Sequence, residues 1–225
     1  MSVVVAIDGT SACGKGTLAR KLARHYGFAH LDSGALYRLV AVTVIRSGGD
    51  PASAGDAVRA AREIDPDGIN DPALRTAAAG EAASLVAAIP EVRAAVLKFQ
   101  RDFAADPPGG ARGAVIDGRD IGTVIAPDAT AKLFVDARPE IRALRRWREL
   151  QQANAGGWLP DPESIKADLL ARDRRDRSRV TAPLRQAGDA ILLDTSDLDI
   201  EAAFAKALAL IDNKVETALA ARHRG

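Results

Sequence analysis

The sequence predicts an α/β chain, a doubly wound parallel sheet of five strands covered by helices on both faces. Three observations predict it. Five short runs rich in apolar and β-branched residues recur along the chain, and stretches with helical spacing of apolar residues separate them. The runs are apolar throughout instead of alternating with polar residues, as in strands buried on both faces. The 225 residues suit one domain, with room for inserted segments but not for a second full domain.

The first run, Val3 to Ile7, has the length and branching of a buried strand and ends at Gly9. Lys15 to Tyr26 follows with Leu18, Ala19, Leu22 and Ala23 at helical spacing and Gly27 placed to stop it. Phe28 to Leu31 reads as the second strand, and a helix from about Gly34 to Arg46 stops at Gly48-Gly49. From Asp50 to about Gly113 the pattern is helical but broken by Pro51, Pro66, Pro72, Pro90 and Pro107-Pro108. Ala114 to Asp117 and Ala131 to Val135 are the third and fourth strands. Pro139 opens a helix running to about Gln152, Gly156-Gly157 marks a mobile link, and Asp161-Pro162-Glu163 starts another helix. Ala190 to Asp194 is the fifth strand, and a helix from about Asp199 to Arg222 follows. No internal repeat is present.

Composition narrows the function. Thirty-one basic residues face 30 acidic ones, a net charge of +1, so a broad nucleic-acid-binding surface is not expected and only local anion sites remain. The single cysteine, Cys13, suits a reducing compartment. The stretch Met1 to Asp8 lacks the basic segment of a signal peptide, and its apolar run is too short to span a membrane. The expectation is a cytoplasmic protein that does not engage a membrane.

Between the first strand and the first helix lies Gly9-Thr10-Ser11-Ala12-Cys13-Gly14-Lys15-Gly16-Thr17, the G-x-x-x-x-G-K pattern of a phosphate-binding P-loop. The glycines let the backbone wrap a phosphate with several N–H groups pointing inward, and the helix that follows adds the positive end of its dipole. Lys15 supplies a charge for the β and γ phosphates, and Thr17 a hydroxyl for phosphate or Mg²⁺. Cys13 reads as a small side chain within this loop, since no histidine is near it in sequence. His25, His30 and His223 show no metal-ligand spacing.

Three further segments point to a second ligand. Leu31-Asp32-Ser33-Gly34-Ala35-Leu36-Tyr37-Arg38 follows the second strand, at the carboxyl edge where such sheets bind ligands. Asp117-Gly118-Arg119-Asp120-Ile121-Gly122-Thr123 follows the third strand. Later, in Arg172-Asp173-Arg174-Arg175-Asp176-Arg177-Ser178-Arg179, a continuing helix would put Arg172, Asp176 and Arg179 on one face. A carboxylate flanked by arginines suits a ribose hydroxyl beside a phosphate. Arg174, Arg175 and Arg177 are equally compatible with a solvated helix face, and Asp32 and Tyr37 with a structural role.

These segments, with the closing Pro183-Leu184-Arg185-Gln186-Ala187-Gly188-Asp189-Ala190-Ile191-Leu192-Leu193-Asp194-Thr195-Ser196, make the chain resemble the bacterial cytidylate kinase family nearly end to end. The P-loop is widespread; its combination with the other two segments is specific to that family. The resemblance implies a single P-loop kinase domain over 1–225 that moves the γ-phosphoryl group of ATP to CMP or dCMP. The domain would include an acceptor-binding insert at about 49–110 and a helical lid at about 145–171. Ser33, Arg38, Arg119 and Arg179 match positions that hold the acceptor phosphate. Ser84, Arg93 and Asp120 match those that read the cytosine ring, and Arg172 and Asp176 those around the sugar. Arg145, Arg146 and Arg148 match arginines of the lid. ATP and Mg²⁺ are implied, with Thr17 and Asp117 as candidates to hold the ion, and a monomer is expected. Thr10 stands where the family usually has proline. The segment between Arg38 and Ser84 is shorter than in many relatives and contains no convincing hairpin.

Asp120 has a physical logic of its own, because cytosine offers an amino donor where uracil offers a carbonyl acceptor. Another small P-loop kinase, for UMP/CMP, adenylate or shikimate, shares much of this chemistry. A nucleotide switch would carry an N-K-x-D base-recognition motif, which the sequence does not contain.

Overall fold

The computed structural model describes residues 2–153 and 159–222; the glycine link at Gly156-Gly157 lies outside them. Five strands, β1 (Val3–Gly9), β2 (Ala29–Asp32), β3 (Gly113–Gly118), β4 (Ala131–Asp136) and β5 (Ile191–Asp194), form one sheet in the order β2-β3-β1-β4-β5. Every pairing is parallel. The helices are α1 (Lys15–Tyr26), α2 (Ser33–Arg46), α3 (Ala54–Glu63), α4 (Ala77–Val86), α5 (Pro90–Ala105), α6 (Pro139–Ala153), α7 (Pro162–Ser178) and α8 (Ile200–Arg222). The five-stranded α/β architecture expected from the apolar runs is the one observed.

Alternation along β1 supplies both faces of the core. Val3, Val5 and Ile7 pack with Leu18 and Leu22 of α1 and Ile211 and Val215 of α8. Val4 and Ala6 face the other way, onto Leu31, Ile116 and Ile121. The chain leaves β1 for α1 through the glycine loop and returns at β2, two strands away. β1 is therefore flanked by β3 on one side and β4 on the other, and the carboxyl ends of β1 and β3 open the crevice where ligands enter such sheets.

Residues 49–110 are helical and contain no strand. The prolines that interrupt the pattern mostly start helical turns: Pro66 and Pro72 open short 3₁₀ turns and Pro90 opens α5. Ser53 and Thr76 accept N–H bonds at the starts of α3 and α4. The insert has its own apolar cluster, with Leu36, Val40 and Val44 of α2 against Ala57, Ala61, Val86, Val92 and Val96. On the other side of the crevice, α6 and α7 pack together through Ala143, Ile165 and Leu169.

Candidate active site

The residues matched to the acceptor, together with Ser11, Lys15 and Gly16 of the glycine loop, converge on one cleft of about 220 Å³ at the carboxyl edge of β1 and β3; Thr17, Arg145 and Arg146 do not line it. Ser11, Lys15 and Gly16 line one wall, Ser33 and Arg38 of α2 a second, and Arg119 and Asp120 the floor after β3. Ser84 and Arg93 from the insert and Arg172, Asp176 and Arg179 from the end of α7 complete it. Residues as far apart in sequence as Ser11 and Arg179 are thus brought into one cleft because every contributing connection leaves the same edge of a parallel sheet.

The donor loop is shaped by contacts that only glycine permits at one point. A Cβ on Gly9 would lie 2.0 Å from the Val135 carbonyl oxygen of β4, so the loop can turn there only without a side chain. Lys15 donates from Nζ to the Thr10 carbonyl at 3.1 Å. Burial, and then the Arg119 guanidinium, lower its pKa. Thr10, at the position of the family's usual proline, donates its hydroxyl to Asp136 Oδ1 at 2.6 Å.

Asp176 is the hub of the opposite wall. It accepts from Arg119 Nε at 2.9 Å, from Ser84 Oγ at 3.2 Å and from Arg179. Burial works against its charge, yet Arg119, Arg179 and Arg172 together hold its pKa below the usual carboxylate range. Arg179 lies just past the end of α7 and still reaches back to Asp176, so the predicted face closes by a cap rather than by a further helical turn. Arg172 is pushed down to about 10 by burial and by the nearby Arg119 charge. Arg38 is held by Asp32 at 2.6 Å.

At the other end of the cleft Arg93 pairs with Asp120, and the guanidinium lies 5.4 Å from the centre of the Tyr37 ring. Burial raises the Asp120 pKa, and Arg93 opposes the rise. The Ser33 hydroxyl accepts from Gln100 Nε2 of α5 at 2.7 Å.

The residues expected to hold Mg²⁺ are oxygen donors beside the lysine, the ligand type this ion takes together with substrate phosphates. Asp117 Oδ1 lies 3.7 Å from the place a Cβ on Gly16 would occupy, whereas Thr17 is exposed and its hydroxyl accepts from Arg20 Nη2 at 3.2 Å. His30, unassigned in the sequence, meets Asp117 Oδ2 through Nε2 at 2.9 Å. Among the described residues no cluster of three or more acidic, cysteine or histidine side chains forms a separate metal cage.

A match to the family model for cytidylate kinase spans residues 5–213. The chain belongs to the cytidylate kinase family. The cytidylate kinase of Paramagnetospirillum magneticum is 54% identical over 214 residues, 95% of this chain and all of that protein. That of Nitrobacter winogradskyi is 52% identical over 211 residues, covering 94% of this chain and 96% of the relative. A solved protein from Eubacterium ventriosum, described as uncharacterized, covers 95% of this chain and 99% of its own at 15% identity and a TM-score of 0.55. That likeness shows the fold alone.

Three arginines of the α6 segment, matched to the lid of cytidylate kinases, occupy different places. Arg145 donates to the Cys13, Thr195 and Leu198 carbonyls at 3.3, 2.6 and 3.1 Å, bracing the loop after β5 against the donor loop. Arg146 pairs with Glu149 and lines a second cleft, of about 630 Å³, between the insert and the α6–α7 pair. Arg148 is exposed.

Sequence reasoning missed four side chains that shape this site. Gln100 falls on the buried stripe of α5 with Arg93, Val96 and Ala104, and a polar residue at that register was the available signal. Asp8, near the end of the otherwise apolar β1, accepts from the Ile121 and Gly122 amides at 2.8 Å each, fixing the turn that carries Arg119 and Asp120. Arg142 and Asp173 are 3% and 0% exposed and paired, and nothing local distinguishes them from the charged residues around them.

Proposed function

We propose that the chain transfers the γ-phosphoryl group of ATP to CMP or dCMP, releasing ADP and CDP or dCDP. The observation that carries the reading is the cleft opposite the donor loop. There an arginine-rich wall suited to a monophosphate ends in a buried Arg93–Asp120 pair suited to cytosine.

In this reading the donor loop from Gly9 to Thr17 binds the triphosphate, with Lys15 leaving the Thr10 carbonyl for the β and γ phosphates. Thr17 and Asp117 would hold Mg²⁺, which when bound offsets negative charge on those phosphates. Arg38, Arg119 and Arg179 neutralise the acceptor phosphate, and Ser33, oriented by Gln100, donates to it. Asp176 and Arg172 face the sugar, and Ser84, Arg93 and Asp120 face the base. An acceptor oxygen forms the new bond to the γ phosphorus while the bond to the β–γ bridging oxygen breaks. The acceptor is already an anion at neutral pH, so the chain's task is alignment and charge neutralisation. Arg146 of α6, with the facing part of α7, closes over the reactants and keeps water from the γ phosphate; part of the expected lid, 154–158, lies outside the described residues. The chain acts as a monomer in the cytoplasm, a setting consistent with its free, buried Cys13; among the described residues no helix is long and apolar enough to cross a membrane.

The test is ADP production from ATP with CMP, dCMP, UMP, AMP or no acceptor. Turnover is expected with CMP and dCMP and to be far lower with UMP and AMP. A rate as high with AMP, or without any acceptor, overturns the reading.

A further inference from the structure

Ser11 lies in the donor loop and is 3% exposed, yet its main chain is committed to side chains from two distant helices. Its amide donates to Asp173 Oδ1 of α7 at 3.1 Å. Its carbonyl accepts from Arg142 Nη1 of α6 at 3.0 Å. Arg142 Nη1 also meets Asp173 Oδ2 at 2.5 Å, closing a ring, and Arg142 Nε donates to the Ala137 carbonyl at 3.0 Å. The next residue, Ala12, has φ 58°, a left-handed conformation that strains a non-glycine residue. Its methyl group packs into the α6–α7 seam beside Ala143, Ile165 and Leu169. At Ser11 and Ala12 the main chain and the Ala12 methyl group are thus held by the helix pair, while Lys15 holds the neighbouring Thr10 carbonyl from within the loop.

We propose that Arg142 and Asp173 are positioning residues for the donor loop, their buried ion pair fixing the Ser11 main chain and making the loop's shape depend on the packing of α6 against α7. The proposal rests on the reading of that loop as the ATP site. Neither residue faces the cleft, so both act through Ser11. The ring also extends to the acceptor side, because Arg119 Nη2 donates to Ser11 Oγ at 2.9 Å. A helix pair that moves as the active site closes therefore carries the donor loop and one acceptor arginine with it.

Replacing a buried ion pair with apolar residues of similar volume is commonly neutral for stability, so the test uses Arg142→Met with Asp173→Leu, alongside Asp173→Asn. The paired variant is expected to melt cooperatively at a lower temperature, because the Ser11 and Ala137 main-chain groups lose their partners, while KM for ATP rises about 10- to 100-fold. KM for CMP should move far less. An unchanged KM for ATP in either variant that melts cooperatively overturns the proposal. Amide exchange on the wild-type chain tests it independently of any variant: the Ser11 amide should exchange slowly, as a buried donor to a carboxylate. Exchange as fast as in an open loop also overturns it. A wild-type chain that makes no CDP sinks the functional reading, while the exchange experiment still decides whether the ring holds the loop.

Discussion

Asp8 sets stability against function in a way that pH can expose. Its carboxyl is 4% exposed and its pKa is raised to about 7, chiefly by burial, with the Gly122 and Ile121 amides opposing the rise and Asp120 adding to it. In the unfolded chain the same group titrates near 3.8. Between those values the folded chain binds the extra proton, so stability falls as pH rises from about 4 to about 7 and is level above. A shift of about three units corresponds to about 4 kcal/mol. Asp8→Asn removes that titration. The amide keeps one acceptor for the two amides at 2.8 Å and sets its NH₂ against the other, which costs roughly 1–3 kcal/mol. At pH 8 the variant should therefore be more stable than wild type by about 2 kcal/mol, or about 4–8 °C in Tm for a chain of this size. At pH 5 the order should narrow or reverse. Urea unfolding followed by circular dichroism from pH 4.5 to 8 measures this, and a variant curve parallel to the wild type across that window would refute the reasoning. The same change should raise KM for CMP, because the Ile121–Gly122 amides place Arg119 and Asp120.

Other perturbations separate the roles assigned to the cleft. Lys15→Ala should cut turnover by at least about 100-fold without lowering Tm, since burial disfavours the lysine's charge in the folded chain; normal turnover would remove Lys15 from the mechanism. Asp120→Asn keeps the shape beside Arg93 and should lower the CMP:UMP ratio of kcat/KM by about tenfold, whereas an unchanged ratio would deny it a role in reading the base. Gln100→Glu keeps the buried volume but replaces the amide that donates to Ser33, so KM for CMP should rise about fivefold, near 1 kcal/mol. Wild-type KM in that variant would show that Ser33 needs no such support.

The strands and most helices were legible because their signals are local. β1, α1 and β4 follow directly from short apolar runs and a helical stripe ended by Gly27, whose φ of 65° confirms the stop. The insert was less legible. Its prolines read as breaks, whereas at Pro66, Pro72 and Pro90 they start new turns; the capping Asp65 and Asp71 mark the first two, and Ile89 before Pro90 gives no such signal. Within the site, residues carried by contiguous motifs converged as expected. Those that act through a buried partner did not announce themselves. Asp173 sits one residue from Arg172 in a run of alternating charge, and only the chain path that brings Ser11 and Arg142 to it separates it from a solvated residue. The environment of Arg145 was equally hidden, since its acceptors are carbonyls of loops 50 and more positions away.

Five perturbed groups in or beside the cleft shift in directions that have a common meaning. Asp8 and Asp120 are raised, and Lys15, Arg172 and Arg179 are lowered, each with burial as its largest cause. Each of these five shifts disfavours the charged form, so those charges cost folding stability, whereas Asp32, Asp176, Arg93 and Arg119 shift toward their charged forms against burial. Such a cost persists where the site requires the charge. The lining carries an excess of positive charge: six cations, Lys15, Arg38, Arg93, Arg119, Arg172 and Arg179, face four carboxylates, Asp32, Asp117, Asp120 and Asp176. The excess of two positive charges equals the charge of one phosphate monoester dianion. Arg93 and Asp120 already balance each other, so the excess falls on the arginine wall opposite Lys15, where a monophosphate acceptor would meet the donor.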